Sequence, residues 1–144
     1  MTITEYLEQG RKLDQRIHYS LWKLKNLRKA ACLPGSTWHT EDMVSTSRLE
    51  EAPFVGRLEQ IDQMEEDINR EIRQLTALKA QIAEVIRGAG RNDYQLVLAY
   101  RELEGMSWGQ ISDLMMCSVS TAQRWHRLAL ARLTLPENPI IIGA

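Results

Sequence analysis

Cysteine is almost missing from this chain of 144 residues: Cys32 and Cys117 stand far apart, with no CxxC pair. That argues against a disulfide framework and fits reduced thiols in a cytosolic chain. There is no apolar run long enough to span a bilayer, and the opening MTITEYLEQG is too polar for a secretory signal. The expected compartment is therefore the cytoplasm, with no membrane partner. Proline (4) and glycine (8) are few and aromatics make up 6%, although a 44% apolar fraction is enough for a core. The three histidines, His18, His39 and His126, are scattered, and no Cys or carboxylate spacing resembles a metal site. GxxxxGK[ST], GxGxxG and GxSxG are all absent. Carboxylates are plentiful, but all fall at positions expected on helix surfaces. The chain is thus read as a non-enzyme, with no catalytic, cofactor or metal site. Its net charge of −1 does not by itself suggest a nucleic-acid binder.

What is present concentrates in residues 105–133, GMSWGQISDLMMCSVSTAQRWHRLALARL. Gly105 ends a preceding helix. Ser107 and Gln110 have the capping-box spacing, and Met106 and Ile111 are placed for a hydrophobic staple. Trp108, Ile111 and Leu114 recur at helical spacing. Met116-Cys117-Ser118 breaks the run, and Ser118 can cap the next helix. There Ala122, Trp125, Ala129 and Leu133 form the inner stripe, with Trp108 and Trp125 read as core. The remaining positions, Ser118, Val119, Ser120, Thr121, Gln123, Arg124 and Arg127, form the candidate DNA-binding surface. His126 is read as either a phosphate contact or an idle surface residue.

The segment from Asp93 to Leu133 resembles region 4 of bacterial sigma factors, through Leu103-Glu104-Gly105-Met106-Ser107, Ile111, Ser118, Ala122 and the stretch Arg124–Leu133. The opening Tyr6-Leu7-Glu8-Gln9-Gly10-Arg11-Lys12-Leu13-Asp14-Gln15-Arg16-Ile17 extends the likeness. Nearly the whole chain is similar to a family of small bacteriophage and prophage proteins with a long helical first half and a sigma-like second half. Some of these look like regulators of late phage transcription. One departure is Met116, where the family often has Gly. The resemblance implies a helix-turn-helix reader of double-stranded DNA, with host RNA polymerase as a second partner.

Charge is unevenly spread. Residues 1–31 hold seven Lys/Arg against three Asp/Glu; residues 32–55 hold one against four; residues 56–90 hold five against seven; residues 91–144 hold five of each. Within the last segment Arg124, Arg127 and Arg132 gather on the reading helix, while Asp93, Glu102, Glu104 and Asp113 precede it. So few phosphate contacts imply modest affinity.

The first half reads as two long helices. One runs from about residue 4 to 31 on Tyr6, Leu13, Ile17, Leu21, Leu24 and Leu27. The other runs from about 53 to 87 with a seven-residue beat, Ile61, Ile68, Leu75, Ile82, widened by Leu58, Met64, Ile72, Leu78, Val85 and Ile86. Glu65, Glu71 and Lys79 interrupt the seam, so a short antiparallel hairpin or bundle is expected, its basic and acidic helices attracting each other. The stripe also leaves a homodimer through these helices open. The stretch Lys23–Lys29 is read as a solvated face.

The expected fold is all-α: a coiled-coil-like helical hairpin (1–87) with a mobile loop 32–55, a hinge (88–92), a three-helix unit (93–135) whose first helix is capped by Asn92, and a tail (136–144). Trp38 in the loop is read as tucking against the hairpin, with a partner anchor as the alternative. The apolar tail Pro139-Ile140-Ile141-Ile142 has two readings, folding back or docking elsewhere. The leading functional expectation is a phage transcription regulator that activates late genes. The alternatives are a small-terminase-like packaging or scaffold protein, and an inhibitor of a host factor.

Overall fold

The computed structural model describes residues 1–32 and 47–143, with side chains described for 1–31 and 55–143. Trp38, His39 and most of the expected loop lie outside the described residues. The described residues are mostly helical and contain no strand, consistent with the expected all-α class. Five α-helices occur among them: α1 (Ile3–Cys32), α2 (Ser47–Ile86), α3 (Asn92–Leu98), α4 (Trp108–Met115) and α5 (Val119–Leu130). A 3-10 turn, Arg87–Ala89, follows α2, and α3 runs on into a π-helical turn, Ala99–Leu103. No described helix is long and apolar enough to cross a membrane.

The start of α2 corrects the expected loop boundary. It begins at Ser47, ahead of Pro53, because Leu49, Glu50, Glu51 and Ala52 are all strong helix formers. At the other end of the chain, α1 opens on a reciprocal cap absent from the sequence reading. The Glu5 amide donates to Thr2 Oγ1 at 3.2 Å, and the Thr2 amide donates to Glu5 Oε2 at 3.0 Å.

The packing divides into two compact units. One contains residues 1–15 together with the chain from Arg73 onward; the other is Arg16–Ile72. The sequence boundary at 88–92 does not coincide with this division. In the first unit a single core joins Tyr6 and Leu7 of α1, Leu78, Ile82 and Ile86 of α2, Tyr94, Val97 and Leu98 of α3, Ile111 of α4, and Ala122 and Ala129 of α5. The segment expected to hinge is held by the same core. Ala89 is fully buried, and Arg132 donates to its carbonyl at 3.2 Å. Gly90 takes φ +82, the conformation glycine adopts without strain.

The tail folds back. Ile140 and Ile142 pack against the core, and two glutamines hold the backbone between them. Gln9 donates to Ile140 O (3.0 Å) and accepts from Ile142 N (2.9 Å). Gln81 donates to Asn138 O (2.8 Å) and accepts from Ile140 N (2.8 Å). The Tyr6 hydroxyl also donates to Gln81 Oε1, at 2.6 Å. Burial pushes the Tyr6 phenol up to about 12. Each side-chain amide thus supplies the donor and acceptor that a neighbouring strand would supply.

In the second unit, Leu24, Ile61 and Ile68 form a small core with Leu27 and Met64 against it. Arg16 pairs with Glu71 at 3.3 Å, and Arg28 pairs with Glu65, so the two helix segments run antiparallel. The acids that interrupt the heptad seam are therefore those that meet the basic helix. The apolar stripes are narrower than expected. Ile61, Ile68, Leu75, Leu78, Ile82 and Ile86 are buried, but Leu21, Leu58 and Ile72 are exposed.

Candidate nucleic-acid interface

α5 is fixed at both ends and along one side. Ser118 takes the extended cap conformation, and its Oγ accepts from the Thr121 amide at 3.1 Å and contacts Thr121 Oγ1 at 2.8 Å. Ala122 and Ala129 are fully buried, small enough to bring α5 close to α3 and α4. Leu133 is buried just beyond the helix, and Trp125 packs on the core from its edge. The preceding helix is set as firmly. Ser107 and Gln110 make both bonds of the capping box, at 3.0 and 3.2 Å. Met106 and Ile111 both join the core. Leu114 is the exception on α4, being exposed. The short helix turns only a narrow strip inward, and Leu114 lies outside it.

The turn between α4 and α5 depends on Met116. It adopts φ 54, ψ 46, the left-handed region, and is 94% exposed. That conformation lets the Cys117 amide reach back to Ser112 O at 3.0 Å, closing α4. Here an L-residue carries a conformation that glycine adopts more cheaply.

A buried carboxylate anchors α5 from beneath. Glu102, only 4% exposed, sits in the π-helical turn. Its Oε1 lies 2.9 Å from His126 Nε2 on α5, and its Oε2 lies 3.4 Å from Arg11 Nε on α1. The Arg11 contact is an ion pair without hydrogen-bond geometry, so Oε2 has no hydrogen-bond partner among the described residues. This corrects two expectations. His126 is neither idle nor free for phosphate, and not every acid lies on a helix surface. The cause is a packing arrangement that brings three segments distant in sequence to one point. Asn92 is also displaced from its expected role. Arg91 takes the cap position with an extended backbone and no side-chain cap bond, while the Gln95 side chain donates to Gly90 O at 3.2 Å.

The candidate surface sorts into engaged and free side chains. Ser118 and Thr121 spend their hydroxyls on the cap. Val119, Ser120, Gln123, Arg124 and Arg127 are exposed, and the last four make no side-chain hydrogen bond or ion pair among the described residues. Ser120, Gln123 and Arg127 line a shallow cleft of about 480 Å³, closed on the α4 side by Trp108 and beneath by His126. The Trp108 ring meets His126 edge-on at 5.2 Å and carries the Arg101 guanidinium 4.6 Å from its centroid. Arg132 is not part of this surface. It lies beyond α5 and stacks on Tyr94, 4.9 Å from the ring centroid. Two free arginines remain on a helix that carries no acid.

Groups of three or more potential metal ligands do not occur among the described residues. Comparison with protein-family models, curated proteins and solved structures finds no match.

Proposed function

We propose that this chain is a DNA-binding regulator of phage or prophage transcription, with α4, the turn at Met116–Ser118 and α5 acting as a helix-turn-helix. In this reading α3, α4 and α5 form a sigma region 4-like unit. α5 enters the major groove and presents Ser120, Gln123, Arg124 and Arg127 to base edges and phosphates, with Val119 beside them. The observation that carries the reading is the exposed, acid-free face of α5, where four polar side chains have no partner among the described residues. They project from a helix whose ends and inner side are immobilised. A solvated helix needs no such fixing, whereas a reader must hold its side chains in register.

Two free arginines supply few phosphate contacts, so binding by this surface alone is weak and only shallowly salt-dependent. A second protein contact compensates. By the resemblance stated above, host RNA polymerase provides it, and the outcome is activation of late genes. The role is non-enzymatic, in the cytoplasm of the bacterial host.

Anisotropy titrations with the phage's own late-promoter DNA test the proposal. Arg124→Ala and Arg127→Ala should each weaken binding by about 1–3 kcal/mol for a base contact, and by less for a phosphate contact. Unchanged affinity in both variants removes the reading helix from the interface and refutes the proposal.

A further inference from the structure

On the outer face of α5, Val119 is the residue that the fold does not account for. At 3.6 residues per turn, Val119, Gln123, Arg127, Ser120 and Arg124 fall in an arc of about 140°, and the buried Ala122 and Ala129 lie outside it. In the first two turns of that arc Val119 is the one apolar side chain, set among Ser120, Gln123 and Arg124. It is 40% exposed and takes no part in the core among the described residues, whereas Leu130, farther along the helix, packs against that core. Nor does the start of α5 depend on it. Ser118 makes the cap by accepting from the Thr121 amide. The residues placed for a hydrophobic staple around that cap are Cys117 and Ala122, and both join the core. A face that meets only water gains nothing from valine, a poorer helix former than alanine.

We propose, resting on the reading that α5 enters the major groove, that Val119 recognises the C5-methyl group of thymine. The interface then selects A·T pairs beneath the first turn of α5. Base edges in the major groove carry hydrogen-bond donors and acceptors, and their one aliphatic group is the thymine methyl. An exposed valine among polar side chains therefore has a single apolar complement there. The N-terminal residues of a reading helix are those that reach base edges, and Val119 is the first residue of α5. Gln123 stands one turn on, at i+4, where Cβ atoms lie about 5–6 Å apart. Its amide matches adenine N6 and N7, which the partner of thymine presents in the same groove. The two side chains thus address both strands of A·T pairs, the methyl on one and the adenine edge on the other. Arg124 and Arg127, on the same arc, suit a polyanion better than an apolar protein surface.

Anisotropy titrations of the full chain should compare the phage's late-promoter duplex made with thymine and the same duplex made with deoxyuridine. The exchange keeps the hydrogen bonds of every pair and removes only the methyls. The wild type should bind the uracil duplex more weakly, by about fourfold for each methyl that Val119 covers. Val119→Ser should bind the two duplexes alike, near the wild type's affinity for the uracil form. The position is exposed, so circular dichroism should show unchanged helix content in that variant. Equal wild-type affinity for the two duplexes overturns the proposal and leaves DNA binding standing. So does a uracil effect that survives in Val119→Ser, because the methyls would then act through another residue or through duplex stiffness. A wild type that binds neither duplex refutes DNA binding itself, and the methyl contact falls with it.

Discussion

Met116→Gly should stabilise the protein, although it removes a large apolar side chain. The residue is 94% exposed, so truncation forfeits almost no buried area. Its backbone sits at φ 54, ψ 46, where an L-residue carries a steric cost of about 1–2 kcal/mol that glycine avoids. Glycine returns part of that gain through the greater freedom of its unfolded chain, roughly 0.4–1 kcal/mol. The balance is a stabilisation of about 0.5–1 kcal/mol, which for a chain of this size raises Tm by about 1–4 °C. Met116→Ala is the control. It removes the same thioether but keeps Cβ, and should change Tm by less than the glycine variant. Met116→Val should lower Tm, because branching at Cβ crowds the left-handed conformation further. Scanning calorimetry on the three variants provides the measurement. Equal Tm for the glycine and alanine variants would refute the argument, since backbone strain would then contribute nothing at the turn.

Glu102→Ala should lower stability by about 2–4 kcal/mol in urea titrations; the penalty for breaking a buried ion pair is moderated because Arg11 is partly exposed and can reach water. Glu102→Gln, which keeps the shape, should lose less. Gln81→Ala removes two bonds to the tail and the Tyr6 acceptor; hydrogen exchange at the Ile140 amide should accelerate, with a global loss of about 1–3 kcal/mol. An unchanged exchange rate would mean that the tail is held by packing alone. Tyr6 is raised in the folded state, so its neutral form is the stabilised one. Its contribution is complete below the unfolded value of 10.0 and is lost as pH rises through about 12. Tyr6→Phe should therefore flatten the alkaline limb of a pH–stability profile between those values.

The parts of the fold that follow from local periodicity could be read from the residues. Ile61, Ile68, Leu75 and Ile82 mark the buried side of α2 because a seven-residue beat keeps returning to one face. Ser107 with Gln110, and Ser118, mark helix starts because caps are local chemistry. Spacing does not reveal how wide a strip the neighbours cover, which is why Leu21, Leu58, Ile72 and Leu114 are exposed. Nor does it reveal convergence. Nothing between residues 93 and 104 says that Glu102 will face both Arg11 and His126, since those partners come from two other helices. The glutamine clamps on the tail are hidden for the same reason. In the candidate interface, residue types indicated the face of α5. Contacts then removed Arg132, to the Ala89 carbonyl and the Tyr94 ring, and committed the hydroxyls of Ser118 and Thr121 to the cap.

The core that joins Tyr6 to Ala122 and Ala129 sets a timetable for synthesis. Tyr6 and Leu7 leave the ribosome well ahead of Ala122 and Ala129, which complete the core around them. At about 5–20 residues per second, the wait is on the order of ten seconds. The unit Arg16–Ile72 is encoded between the two parts and is compact in its own right, so its helices can pair while the rest is still being translated. Until α5 emerges, the amino-terminal turn of α1 shows an uncovered tyrosine and leucine to whatever waits at the exit tunnel. Over that interval Tyr6 and Leu7 are an apolar pair open to chaperones.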